Sequence, residues 1–154
     1  MKKTPLQIAQ ERMDAYVKAQ GMRFSPLRPI VLGKVYELPQ PFTAGQLVEA
    51  CEGELISKPS IYHILQLLID ARILHAFTPQ EGAGPTRYEL ITTSHNNMRF
   101  VCEQCGRVVN FRDPVLDNMV KTRHFPNYEL RRFSLFVYGT CKKCLTKAAA
   151  HSRQ

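Results

Sequence analysis

Ser60-Ile61-Tyr62-His63-Ile64-Leu65-Gln66-Leu67-Leu68-Ile69-Asp70-Ala71-Arg72-Ile73 is the stretch that decides the fold. Ile61, Ile64, Leu65, Leu67, Leu68 and Ile73 fall at helical spacing and form a broad apolar face suited to the inside of a compact helical domain. The opposite face shows Ser60, Tyr62, His63 and Gln66. Immediately afterwards, ILHAFT (73–78) and TRYELI (86–91) flank the turn-rich PQEGAGP. That pattern predicts a two-stranded hairpin with a mobile tip.

Upstream, three helix starts precede this segment. Thr4 and Pro5 suit an N-cap and first helical residue, with Leu6, Ala9, Met13, Tyr16 and Val17 at helical spacing until Gly21. Ser25 and Pro26 repeat the signal ahead of Leu27, Ile30, Val31 and Val35. Thr43 caps a third run through Ala44, Leu47, Val48 and Ala50, with Gly53 just beyond. Three helices, a recognition-type helix and a hairpin make a winged helix-turn-helix. A small α+β domain without a nucleic-acid role would carry the same elements.

The pattern changes between Thr92 and Asn97. The remainder predicts strand MRFVC, turn EQCG, strand RVVNF, a helix from Asp113 and Pro114 to about His124, and a strand LRRFSLFVYG, with KAAAHSRQ as a fraying tail. Phe133 to Tyr138 is almost wholly apolar, which suits burial on both faces or pairing with another subunit. The chain is therefore α+β in two parts, a winged-helix domain over 1–91 and a small α/β domain over 92–154.

Cys102-Glu-Gln-Cys105 and Cys141-Lys-Lys-Cys144 stand 35 residues apart, with Gly106 and Gly139 close by. Each C-x-x-C turn chelates through two sulfurs, and two turns complete the tetrahedron that Zn²⁺ prefers, with no open position for catalysis. One structural zinc per chain follows. Iron suits four thiolates as well, whereas thioredoxin-like redox chemistry needs a single C-x-x-C at a strand-to-helix junction. Cys51 stands apart and reads as a small buried hydrophobe.

Composition narrows the function. The formal charge of +8 and pI near 9.4 favour polyanionic partners, and a tetrathiolate zinc would lower the charge only to about +6. No window approaches the roughly 18 apolar residues that span a bilayer, and the polar MKKTPLQIAQER opening lacks a signal-peptide core. A cytoplasmic protein is expected. With no open metal position and no nucleophile beside an identifiable base, an enzyme is not.

The run Gly21-Met-Arg23-Phe-Ser25-Pro-Leu-Arg28, then Pro59-Ser60-Ile-Tyr62-His63-Ile-Leu65, Tyr88-Glu89-Leu90, Cys102-x-x-Cys105-Gly106 and Tyr138-Gly139-x-Cys141-x-x-Cys144 resembles the ferric uptake regulator family from about residue 15 to 145. The resemblance implies a dimeric transcription regulator, usually a repressor, with the N-terminal winged helix on double-stranded DNA and a C-terminal dimerisation domain. Ser60 and Tyr62 would meet base edges and phosphates in the major groove. Arg23 would enter the minor groove of an A/T-rich palindrome, and Lys58 would contact phosphate at the helix start. His63 occupies a slot where the family pattern has arginine, whose charge is permanent.

The family's sensing metals are implied to sit on histidines and carboxylates near the hinge and before the first C-x-x-C. Here that segment reads Ser94-His95-Asn96-Asn97-Met98-Arg99, and arginine, always protonated, cannot ligate a cation. The remaining candidates for a residual site are Glu89, His95 and Asp117. The sequence thus predicts a DNA-binding regulator whose zinc is structural and whose regulatory metal site is degenerate. A metal-responsive repressor with an atypical site, and a zinc-stapled interaction module without DNA binding, remain as alternatives.

Overall fold

Thr4 and Thr43 open helices by the same device. Each hydroxyl accepts from the backbone N–H three residues on, at Gln7 or Gln46, and that glutamine side chain accepts from the threonine N–H. Two otherwise orphaned donors are satisfied at each start. The computed structural model describes residues 1–79, 84–91 and 97–152, which fall into two units, Met1–Ile91 and Thr92–Gln154.

The first unit runs α1 (Pro5–Ala19), α2 (Leu27–Glu37), β1 (Phe42–Thr43), α3 (Ala44–Ala50), α4 (Lys58–Asp70), β2 (Leu74–Phe77) and β3 (Arg87–Leu90). This is a winged helix-turn-helix, with α3 and α4 as the helix pair and β2–β3 as the wing. Two starts differ from expectation. Pro26 caps α2 without any side-chain bond, and Ser25 Oγ accepts only a long 3.4 Å contact from Leu27 N–H. Ser57 caps α4, so that helix begins at Lys58, ahead of the stretch 60–73 that marks it in the sequence. The expected mobile hairpin tip falls largely on 80–83, outside the described residues.

The core gathers on the apolar face of α4. Ile61, Ile64, Leu65, Leu67 and Leu68 join Met13 of α1, Val31, Leu32 and Val35 of α2, Leu47 of α3 and Leu74 of β2 in one buried cluster. β1 was not legible in the sequence, being two residues long between helices. It pairs antiparallel with β3, giving the order β1-β3-β2. Phe42, fully buried, lies opposite Tyr88 with its ring stacked at 5.8 Å.

The second unit contains β4 (Asn97–Cys102), β5 (Val108–Phe111), α5 (Pro114–Lys121), β6 (Ser134–Gly139) and α6 (Lys142–His151). β4 is central, antiparallel to β5 and parallel to β6. Asp113 caps α5 by accepting from the N–H groups of Val115 and Leu116. That helix stops at Lys121, so the basic residue on its last turn is Lys121 and not the expected His124. The strand expected from Leu130 begins at Ser134 instead. Within the chain its side chains are half-buried or exposed, not covered on both faces.

The expected fraying tail is mostly α6; Ala148, Ala149 and Ala150, the best helix formers, carry it. Gly139 is required by its neighbour across the ladder, since a Cβ there would lie 2.9 Å from Phe100 Cζ. Neither α5 nor α6 has a buried residue. The buried apolar side chains described in this unit are Met98, Val101 and Cys102.

Phe42→Ala tests the weight of the unforeseen strand. Removing a fully buried ring from the wing's third strand should cost about 3–5 kcal/mol in the urea unfolding of the N-terminal unit. A loss below 1 kcal/mol would mean that the site collapses around the gap.

Candidate zinc centre and nucleic-acid interface

Four sulfurs converge where β4 and β6 end side by side. Cys102 closes β4 opposite Gly139 in the parallel ladder. The chain then turns through Gly106 at φ +74°, a conformation glycine adopts without strain. Gly106 N–H donates to the Cys102 carbonyl and Cys102 N–H to that of Arg107, both at 2.9 Å, and this closed turn carries Cys105 beside Cys102. Glu103 N–H donates to the Gly139 carbonyl at 2.8 Å, joining the turn to the end of β6. Cys141 is the N-cap of α6 and Cys144 lies in its first turn.

All four Sγ atoms lie within 4.8 Å of one another. Cys102 and Cys144 stand 3.9 Å apart, Cys105 and Cys141 3.8 Å. With Zn–S bonds of about 2.3 Å, the edge of a tetrahedron is about 3.8 Å, so the donors fit that ion in type, number and spacing. Among the described residues this is the only such cluster of three or more histidine, cysteine or acidic side chains.

The electrostatics also suit a cation. Backbone N–H groups of Cys105 and then Cys141 pull the Cys102 thiol down to about 6, and that of Cys144 lowers Cys141. Hydrogen bonding with Cys141, followed by burial, pushes Cys144 up to about 12. Without a metal the cluster resists full ionisation; a divalent ion removes that resistance. Cys51 lies elsewhere, buried at the end of α3 with its thiol raised by desolvation, as a packed hydrophobe should be.

On the other unit, α4 turns Lys58, Tyr62 and His63 outward, with Tyr62 52 % exposed. Ser60 is half-buried and shares a 2.8 Å hydrogen bond with the Ser57 hydroxyl. Arg23 is exposed, and its carbonyl accepts from Arg28 at 2.7 Å. A cleft of about 450 Å³ beside α4 has Ser25, Arg28, Ser60, His63 and Asp70 among its lining. Arg28 was not singled out as a site residue from sequence, because only the fold brings the start of α2 to this face of α4; Asp70, on α4 itself two turns after His63, was not singled out either.

The three candidates for a residual sensing site have separate fates. Asp117 holds Lys121 at 2.6 Å one turn along α5. Glu89 is buried and lies opposite His75 in the β2–β3 register. His95 lies outside the described residues. Arg99, from the same segment, is fully buried in the sheet, with its guanidinium 5.4 Å from the Phe136 ring centroid.

Comparison with known proteins fits these features. The chain is 28 % identical over 140 residues to the peroxide-responsive repressor PerR of Staphylococcus aureus, covering 89 % of this chain and 92 % of that protein. Its fold matches the ferric uptake regulator of Helicobacter pylori at a TM-score of 0.75 and 22 % identity, over 94 % and 97 % of the two chains. For the ferric uptake regulator of Vibrio cholerae, a structure with DNA-binding domains, the TM-score is 0.60 and the identity 28 %, over 83 % and 98 %. The family described as "Ferric uptake regulator family" matches residues 19–138. The chain therefore belongs to the ferric uptake regulator family of transcription regulators.

Proposed function

We propose that the chain is a homodimeric, sequence-specific DNA-binding repressor that holds one structural zinc on Cys102, Cys105, Cys141 and Cys144 and is not switched by the metals its family senses. The observation that carries this reading is the division of labour along α4. Its apolar face is consumed by the core, while Lys58, Tyr62 and His63 face outward on a helix of 13 residues. Such a helix fits a major groove, where Ser60 and Tyr62 meet bases and Lys58 and His63 meet phosphates. Arg23, exposed ahead of α2, suits the minor groove of A/T-rich DNA. The Vibrio cholerae relative, with its DNA-binding domains, supports the same assignment.

The zinc supplies cross-linking and charge neutralisation, with all four positions taken by protein. β6 lies at the edge of its sheet, with Val137 36 % and Tyr138 48 % exposed, which supports dimerisation through the C-terminal unit. Arg99 supports independence from a regulatory metal. Burial lowers its pKa only to about 10, so it stays charged at neutral pH, and a fixed cation among the ligand positions opposes a second divalent ion.

Metal analysis of the purified dimer should give one zinc per chain. Cys141→Ser should lose that zinc, the dimer and DNA binding together; a variant that stays dimeric and binds DNA normally would overturn the structural role of the site.

Selection from a random duplex pool should enrich an A/T-rich palindrome, with affinity unchanged on adding Fe²⁺, Mn²⁺ or Zn²⁺. A steep micromolar metal dependence would replace this reading with a sensor built on Glu89, His95 and Asp117. Weak binding without sequence preference would point to a protein-interaction module.

Restoring a permanent cation on α4 is informative as well. His63→Arg should tighten operator binding and steepen its salt dependence by about 0.9 in log–log slope, the value of one added phosphate contact. An unchanged slope would remove His63 from the interface.

A further inference from the structure

The positive charge of this chain is not on its winged helix. Residues 1–91 hold ten lysines and arginines against nine acidic side chains, whereas residues 92–154 hold eleven against four. Zinc on four thiolates takes two units from the second count and leaves it strongly basic.

Part of that charge is concentrated at one place. A cleft of about 610 Å³ is lined by Arg107, Lys142, Lys143, Thr146 and Lys147, beside Cys141. The four cations are exposed, and none has an ion pair among the described residues.

Their arrangement is unfavourable for α6 itself. Lys142 and Lys143 occupy the first two helical positions, where the macrodipole is positive, and the first turn has no acidic residue. Lys143 and Lys147 are like charges one turn apart. A tetrathiolate zinc would carry two negative charges beside these cations. Two negative charges do not match these four cations together with the surplus of the whole unit.

We propose that Arg107, Lys142, Lys143 and Lys147 form a phosphate-backbone anchor, a second, sequence-independent DNA contact on the C-terminal unit. This inference rests on the DNA-binding reading above. Counterion release scales with the number of cations set against phosphates. In the N-terminal unit ten lysines and arginines are offset by nine acidic side chains, so its field attracts a polyanion little. The cleft offers four cations on a rigid helix and turn, with no acidic residue in its lining.

The zinc-loaded full-length protein and a short duplex of arbitrary sequence test this, by fluorescence anisotropy across a potassium chloride series. Lys142→Gln/Lys143→Gln/Lys147→Gln should make the log–log salt slope shallower by about 2 to 3, at about 0.9 per lost contact, and weaken binding about tenfold or more in low salt. The corresponding triple arginine variant should restore both.

Zinc content and dimerisation are measured alongside. If the triple glutamine variant loses zinc, Arg107→Gln/Lys147→Gln, which leaves both C-x-x-C turns unaltered, should still reduce the slope by about 2. Wild-type binding with an unchanged slope in zinc-replete variants would overturn the anchor and leave the DNA-binding reading standing. Loss of polyglutamate binding with duplex binding unaffected would overturn it in favour of an acidic protein partner. Failure of the wild type to bind either arbitrary or selected duplexes would overturn both readings.

Discussion

The C-terminal unit depends on holding the ends of two parallel strands together. β4 and β6 are joined by a crossover that includes β5 and α5, and closing such a loop costs chain entropy before any contact offsets it. In most domains apolar burial meets that cost. Here Met98, Val101 and Cys102 are the buried apolar residues described, and both helices lie open. At about 1.5–3 kcal/mol for each buried side chain, three residues contribute less than the roughly 10–16 kcal/mol typical of a structural zinc site near neutral pH. The cysteine cluster sits where β4 and β6 terminate, so whatever holds the sulfurs holds the ladder. The exposed strand edge and uncovered helices also leave a partner subunit much to bury.

The N-terminal unit has the reverse construction, and this explains what could be read from sequence. Its core is one cluster spanning all four helices and the wing, so each helix had to display its apolar face at the 3.6-residue period. The capping boxes at Thr4 and Thr43 use local hydrogen bonds that sequence spells out directly. β1 was missed because a two-residue strand has no period; Phe42 pairs there through contact with Tyr88, 46 positions later. In the C-terminal unit the signal was weaker because burial is slight. The last helix was mistaken for a tail because it has no apolar stripe against a core, although its alanines have the propensity to form it. Arg131 and Arg132 precede a strand that begins only at Ser134, a boundary that the apolar run extending from Phe133 did not mark.

The candidate site divides along the same line. The four cysteines were legible because chelation imposes a spacing that little else requires, and the sulfur separations meet the tetrahedral edge. Glu89 was legible as a carboxylate near a ligand position, but its burial was not. Strand burial depends on what packs above the residue, and Glu89 alternates with Tyr88 and Leu90 in a way that leaves its environment open from sequence alone. Arg28 comes to the α4 cleft through tertiary packing, 32 residues before Ser60, whereas Asp70 lies on α4 itself, 7 residues after His63.

Charge and shape are apportioned differently along the chain, and this bears on how the proposed DNA binding would be divided between the two units. Long-range attraction to a polyanion depends on net charge and is blind to sequence, whereas discrimination needs close contact with base edges. The winged helix is nearly neutral and exposes a tyrosine and a histidine at the middle of α4, where contacts are short-ranged. The C-terminal unit carries most of the excess cations, and three of them, Lys142, Lys143 and Lys147, lie on α6, where the first two oppose the helix dipole. Arg99, buried against Phe136, adds a cation that acts within the fold and not on a partner. On the proposed reading, affinity would be drawn mainly from one unit and specificity from the other. Counterion release is screened by salt while base contacts are much less so, so the two proposed contributions would respond differently to ionic strength.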